Sequence, residues 1–314
     1  MSSSAKDLPI VSIGIPTYNQ EEFIVQAIQS ALLQGYPNLE IIVSDDNSTD
    51  GTFGVIRPFL SDKRLFYFKN ETNLGRVANY KKILYERVRG EWYLNLDGDD
   101  FLTDNDFIQK AIDVIVDNPQ VVLVQGLCQV EDKLGNRKEV AHAQINSVEI
   151  VNGKNFLLSY PERYNIQHLA ALYDRRKAME IDFYRSNTLR SDYESLLRLA
   201  LRGDVALYRK PVGIWREHGF NETWSLNKEK LIEEKKVYDA VAVDASTYID
   251  NRLLRNWVIK CKENIDYYYL ESYIKRSPSF ENWTLLRENF RFSFTYFKIF
   301  IKYLLYSSRI YKDS

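Results

Sequence analysis

The sequence predicts an α/β fold, a mostly parallel sheet flanked by helices and followed by a helical C-terminal extension. Three observations predict it. Short β-rich runs alternate with helix-period segments over the first 130 residues, the pattern of repeated strand–helix–strand units. Polar clusters sit where those runs end, and ligands of open α/β sheets bind beyond the carboxyl ends of the strands. Residues 226–314 show mainly helical periodicity and no strong β-rich run.

The elements follow in order. Residues 10–16, "IVSIGIP", form a β-branched run stopped by a proline. Residues 21–34 carry Phe23, Ile24, Ala27, Ile28, Ala31 and Leu32 at helical spacing. Residues 39–45 read as a strand running into acids. A Ser/Thr/Asp cluster opens a short helix within 48–60. A third strand covers 64–70, a helix 75–88, a fourth strand 91–96, a helix 104–118 and a fifth strand 121–130. Beyond it the pattern loosens: a hairpin near 132–136, a strand or turn at 166–173, a helix over 191–202 and a strand entering a loop over 205–219. A boundary near residue 225 divides a domain of 1–225 from a helical region of 226–314.

Composition narrows the function. Forty-two basic against 43 acidic residues give no support for nucleic-acid binding. Two distant cysteines and three histidines exclude a disulfide framework and a His- or Cys-rich metal site. With no signal-peptide core in "MSSSAKDLP" and no long apolar run, the expected location is the cytoplasm.

The chemistry concentrates in "EWYLNLDGDDFL", residues 91–102, where an apolar run ends in Asp97, Asp99 and Asp100. Carboxylates this close repel unless something neutralises them. A hard divalent cation, Mg²⁺ or Mn²⁺, takes oxygen ligands and leaves positions for phosphates. The plain alternative is a solvated acidic turn capping the next helix. No P-loop and no GxGxxG pattern occurs.

These residues match a known family. "VSIGIPTYNQEEFIVQAIQSALLQGYPNLEIIVSDDNSTDGT", followed by "NLG" and "LNLDGDD", resembles the family 2 glycosyltransferases, over roughly residues 9–225. The resemblance implies a GT-A (Rossmann-like) fold and inverting, metal-dependent transfer from a nucleotide sugar, in bacterial cell-surface polysaccharide synthesis. It assigns Pro16, Thr17, Tyr18 and Asn19 to the loop against the nucleotide base, with Tyr18 stacking on it, and Asp46 to the base itself. A carboxylate accepts from the imide of uracil or thymine and rejects cytosine, so UDP- or dTDP-sugars are the expected donors. Asn73, Gly75 and Arg76 line the nucleotide and diphosphate. Asp97 and Asp99 form the DxD-type motif, with Asp99 on the metal, Asp97 on ribose or a metal-bound water, and Asp100 extending the motif. In "RSDYESLLRLALRG" Asp192 matches the catalytic base; Ser191 stands where the family carries Glu, and Glu194 is the fallback. Arg216 and His218 of "GIWREHGFNETWS" approach the diphosphate, His218 as a further metal ligand. Asp192 and Glu194 are also ordinary residues for the first turn of a helix.

The expected acceptor is a glycan or lipid-linked hydroxyl. Residues 285–314 carry six basic residues against two acids, interleaved with aromatics, so that stretch is expected to contact a membrane surface or to pack on protein. Two other readings stand beside sugar transfer: a nucleotidylyltransferase, which "PTYNQEE" does not favour, and a catalytically silent binding protein of the same fold.

Overall fold

The structure, a computed structural model, describes residues 8–138, 148–219, 221–222 and 228–276. The stretch 285–314 lies outside the described residues. The chain divides into two compact units, Met1–Ser159 with Tyr164–Trp224, and Tyr160–Arg163 with Ser225–Ser314.

The first unit is built on one sheet. Its first half runs β1 (Val11–Thr17), α1 (Ile24–Leu32), β2 (Leu39–Asp45), α2 (Thr52–Ile56), β3 (Leu65–Lys69), α3 (Arg76–Lys82) and β4 (Trp92–Asn95). Strands β3, β2, β1 and β4 lie side by side and all pair in parallel. Every residue of β1, β2 and β4 is buried, as expected of strands covered on both faces. Helix α1 buries Ile24, Ala27, Ile28 and Ala31 on the sheet, the stripe its spacing marks. A π-helical turn, Ile83–Arg87, extends α3. The register aligns the carboxyl ends: Asp46 N donates to Thr17 O at 2.8 Å, and Gly98 N to Pro16 O at 3.1 Å.

The second half adds β5 (Phe101–Leu102), α4 (Phe107–Asp117), β6 (Val121–Glu131), β7 (Val148–Asn152), α5 (Gly153–Ser159), β8 (Ala171–Asp174), α6 (Arg175–Glu180), α7 (Ser191–Ala200) and β9 (Asp204–Arg216). Here the pairing turns mixed. Strand β8 slots between β4 and β6, antiparallel to both, while β6 and β9 are parallel. The β6–β9 register shifts near Pro211, where a residue without an N–H interrupts the ladder. Strand β5 pairs antiparallel with β9, Phe101 opposite Ile214 and Leu102 opposite Gly213. That two-residue ladder brings the carboxylate turn of residues 97–100 beside the end of β9.

In the second unit, α8 (Lys228–Ala245) and α9 (Asn251–Arg276) pack together. Tyr238 Oη lies 3.0 Å from Tyr160 Oη, and Trp257 meets the Tyr238 ring edge-on at 5.8 Å. No helix of the described residues is long and apolar enough to cross a membrane.

Candidate active site

The three acids after β4 have different partners. Asp97 Oδ1 accepts from Tyr80 Oη at 2.6 Å and from Asn95 Nδ2 at 2.8 Å. Burial and then the charge of Asp99 push its carboxyl up to about 6, against those two hydrogen bonds. Asp99 Oδ2 lies 2.9 Å from His218 Nε2. Asp100, buried, accepts from the backbone N of Arg216 at 3.0 Å. Burial, then Asp99 and Asp97, hold its carboxyl well above the usual range.

Phe23, on the turn into α1, supports the end of β9. His218 stacks on its ring at 4.6 Å. The Arg216 guanidinium lies over Phe101 at 4.5 Å and over Phe23 at 5.6 Å. Arg216 Nη1 donates to Asp99 O at 2.9 Å, and Nη2 to Gln26 Oε1. Arg216 thus braces the carboxylate turn.

Asp46, just past β2, is buried and grips the NLG segment. Its carboxylate accepts from Asn70 Nδ2 at 2.7 Å, Leu74 N at 2.9 Å and Gly75 N at 2.8 Å. Gly75 sits at φ 87°, ψ 157°, a region essentially reserved for glycine. The next residue, Arg76, reaches across the site. Its Nη2 donates to Thr188 O at 3.0 Å and Leu189 O at 3.3 Å, its Nε to Glu222 at 2.5 Å, and its guanidinium covers the Tyr80 ring at 5.3 Å. Burial disfavours that charge, yet Tyr80, Asp192 and Glu222 around it hold the guanidinium's pKa above its ordinary value.

Asp192 stands in the first turn of α7, 9% exposed, and its Oδ1 has no hydrogen-bond partner among the described residues. Glu194, two residues on, is consumed: Arg185 Nε at 2.5 Å, Ser186 Oγ, and Arg198 Nη1 at 3.9 Å surround it. Glu194 thus sits at the centre of an ion-pair cluster. His168 lies buried with Nε2 2.7 Å from Tyr184 Oη and its ring 5.5 Å from that of Tyr80. Burial lowers its pKa to about 4, against the pull of the Asp192 charge.

The family model for glycosyl transferase family 2 matches residues 12–181, more than half of the chain. The chain belongs to glycosyl transferase family 2. A glycosyltransferase of Haemophilus influenzae is 33% identical over 153 residues, covering 48% of this chain and 60% of that protein. A Campylobacter jejuni protein named GalNAc(5)-diNAcBac-PP-undecaprenol beta-1,3-glucosyltransferase is 31% identical over 156 residues, 48% of each chain. The chain thus spans about half the length of the curated relatives it matches. The crystal structure of S. aureus TarS residues 1–349 with UDP-GlcNAc superposes with a TM-score of 0.66 at 18% identity, over 83% of this chain and 73% of that one. The fold is that of GT-A glycosyltransferases.

Within this member of family 2, the expected residues fall as follows. Pro16 and Thr17 end β1 and are buried, while Tyr18 is 45% exposed. Asn19, at φ 51°, accepts from Thr49 N through its side chain at 2.8 Å and gives its own N–H to Ser48 Oγ at 2.9 Å. Asn73 accepts from Gly75 N at 2.9 Å. The residues not anticipated are Tyr80, which links Asp97 to Arg76, Phe23 under His218, and Glu222 on Arg76. Aromatic residues at helical spacing read as core, which hides the first two.

Side chains able to hold a metal do not gather in groups of three or more among the described residues. Asp99 and Asp97 nevertheless present carboxylates on a half-buried turn, and their mutual repulsion is what a cation relieves. Oxygen donors in this number suit a hard ion that completes its shell with water and phosphate. The residues fit such an ion.

Proposed function

We propose that the chain transfers a sugar from a nucleoside-diphosphate sugar to a hydroxyl acceptor, with inversion at the anomeric carbon and Asp192 as the base. The observation that carries this reading is the state of Asp192. Asp46, Asp97, Asp99, Asp100 and Glu194 all have partners, whereas Asp192 keeps a buried carboxylate oxygen free among the described residues. A positioned carboxylate of that kind accepts a proton from an attacking hydroxyl.

The charge of Asp192 acts on the Arg76 guanidinium, which covers the Tyr80 ring, and Tyr80 in turn bonds Asp97, so the proposed base and the DxD-type acids share one electrostatic neighbourhood. Asp99, with His218 and Asp97, would hold Mn²⁺ or Mg²⁺, which when bound supplies charge stabilisation for the departing diphosphate. Tyr18 is free to stack on a base. Asp46 spends two acceptor positions on the NLG segment and a third on Asn70, and a carboxylate offers about four, which leaves one for the imide of a UDP- or dTDP-sugar. The TarS complex with UDP-GlcNAc supports a uridine donor. The printed name of the Campylobacter relative supports a polyprenyl-linked glycan as acceptor. Such an acceptor would bring the 1–225 domain to the inner face of the cytoplasmic membrane, with 285–314 as the contact.

The test is Asp192→Asn. Calorimetry with UDP and Mn²⁺ is expected to show unchanged nucleotide affinity, while sugar release from a panel of UDP- and dTDP-sugars falls by about 10²–10⁴-fold. A variant releasing sugar at the parent rate removes Asp192 from the chemistry. Absence of nucleotide binding by the parent protein would favour the silent reading, to which the Ser191 departure points.

A further inference from the structure

We infer that Thr188 and Ser191, together with Asp192, form the hydroxyl-recognising subsite for a neutral sugar acceptor, an inference that rests on the transfer reading above. The three residues are spaced i, i+3 and i+4, and Ser191 N donates to Thr188 O at 3.3 Å. They therefore share one side of the turn that opens α7. Ser191 is fully buried and Asp192 is 9% exposed. Thr188 Oγ1, Ser191 Oγ and Asp192 Oδ1 are all buried and lack a hydrogen-bond partner among the described residues. Polar side-chain atoms in protein interiors are seldom left so, and here three fall within five consecutive positions.

Local helix chemistry does not absorb them. Ser, Thr and Asp at a helix start ordinarily cap the first amides, yet α7 begins with no side-chain cap hydrogen bond. One turn later the hydroxyl of Ser195 is satisfied: its Oγ donates to Ser191 O at 2.6 Å and accepts from Tyr184 N at 2.8 Å. The unpaired trio is also held still, because Arg76 clamps the carbonyls of Thr188 and Leu189. A fixed turn that leaves two hydroxyls and a carboxylate oxygen unpaired is preorganised for a ligand rich in hydroxyls.

The chemistry of the trio sets the class. A hydroxyl both donates and accepts, so Thr188 and Ser191 match a sugar hydroxyl of either orientation. Asp192 accepts only and takes the hydroxyl that reacts. Where the family places Glu, this chain has Ser191, so the subsite carries one negative charge fewer, and its single carboxylate disfavours an acidic acceptor. The ligand is a neutral glycoside whose reacting hydroxyl has a hydroxyl neighbour.

The test uses the full chain loaded with UDP and Mn²⁺ and titrated with methyl glucoside, methyl galactoside, methyl N-acetylglucosaminide and methyl glucuronide, followed by saturation-transfer NMR. A neutral glycoside is expected to bind in preference to the glucuronide. Thr188→Val with Ser191→Ala weakens that binding about tenfold or more, Thr188→Ser restores it, UDP affinity stays at the parent value, and the melting temperature is equal or higher because unpaired polar groups have been removed. The inference is overturned if the nucleotide-loaded parent binds no neutral glycoside, if the double variant binds it as tightly, or if the double variant melts earlier, since the hydroxyls would then serve the fold. Failure of UDP itself to bind strikes the transfer reading instead.

Discussion

Replacing His168 by Gln should change how stability depends on pH. The imidazole is buried, bonded to Tyr184, packed on Tyr80, and near the charges of Asp192 and Arg76. Its pKa falls from 6.5 to about 4, with burial as the first cause. The unfolded chain therefore binds a proton that the folded chain refuses, and stability is lost as pH falls from 6.5 through 4. The full difference corresponds to about 3 kcal/mol, of which about 2 kcal/mol develops between pH 7 and pH 5. Asp97 opposes this slope, because its carboxyl is raised from 3.8 to about 6, so its contribution is lost as pH rises across that range. Urea unfolding at pH 5, 6 and 7 in EDTA measures the outcome. The stability gained between pH 5 and pH 7 should be about 2 kcal/mol smaller in His168→Gln than in the parent, and Asp97→Asn should enlarge it. Equal gains in parent and His168→Gln would mean that His168 is not held neutral, and the buried contact with Tyr184 would lose its significance.

Four further outcomes are expected. Tyr80→Phe removes the hydrogen bond to Asp97, so Asp97 should titrate higher and Mn²⁺-dependent nucleotide affinity should fall; unchanged affinity in calorimetry contradicts the link. Gly75→Ala forces a residue with a Cβ into a glycine-only conformation and should cost about 1–3 kcal/mol in chemical denaturation, with weaker nucleotide binding. Glu194→Ala removes the carboxylate that pairs with Arg185 and with Arg198, itself 6% exposed, and should cost roughly 3 kcal/mol in a melting series; a melting temperature near the parent's would refute the ion-pair centre. Truncation to 1–284 should abolish flotation with anionic liposomes if the terminal basic stretch seats the protein on lipid, and equal flotation removes that reading.

Strands β1, β2 and β4 were legible because they are buried on both faces and rich in apolar and β-branched residues. The 39–45 strand falls where β2 does, and the acids follow the fourth strand as expected. The second half was harder for identifiable reasons. Strand β5 has two residues, too few for any period, yet it joins the carboxylate turn to β9. Strand β8 has four, and nothing in "ALYD" announces antiparallel insertion between β4 and β6. Side-chain direction was likewise invisible. Arg216 and Glu194 carry the right charges for phosphate and proton chemistry, and the protein partners that the fold also gives them are not written in the local pattern. The unpaired state of Asp192 depends on what is missing around it, which no local pattern encodes.

The grip of Asp46 on the loop before α3 has a consequence for how the chain can drift over evolutionary time. The carboxylate holds main-chain amides of residues 74 and 75, so it is indifferent to the side chain at position 74, where Leu74 is 41% exposed. A saturation library should tolerate nearly every residue but proline there, which alone lacks the amide. Neutral variation can thus accumulate at this exposed position without loosening the loop that Asp46 holds, leaving it free to be recruited for new contacts.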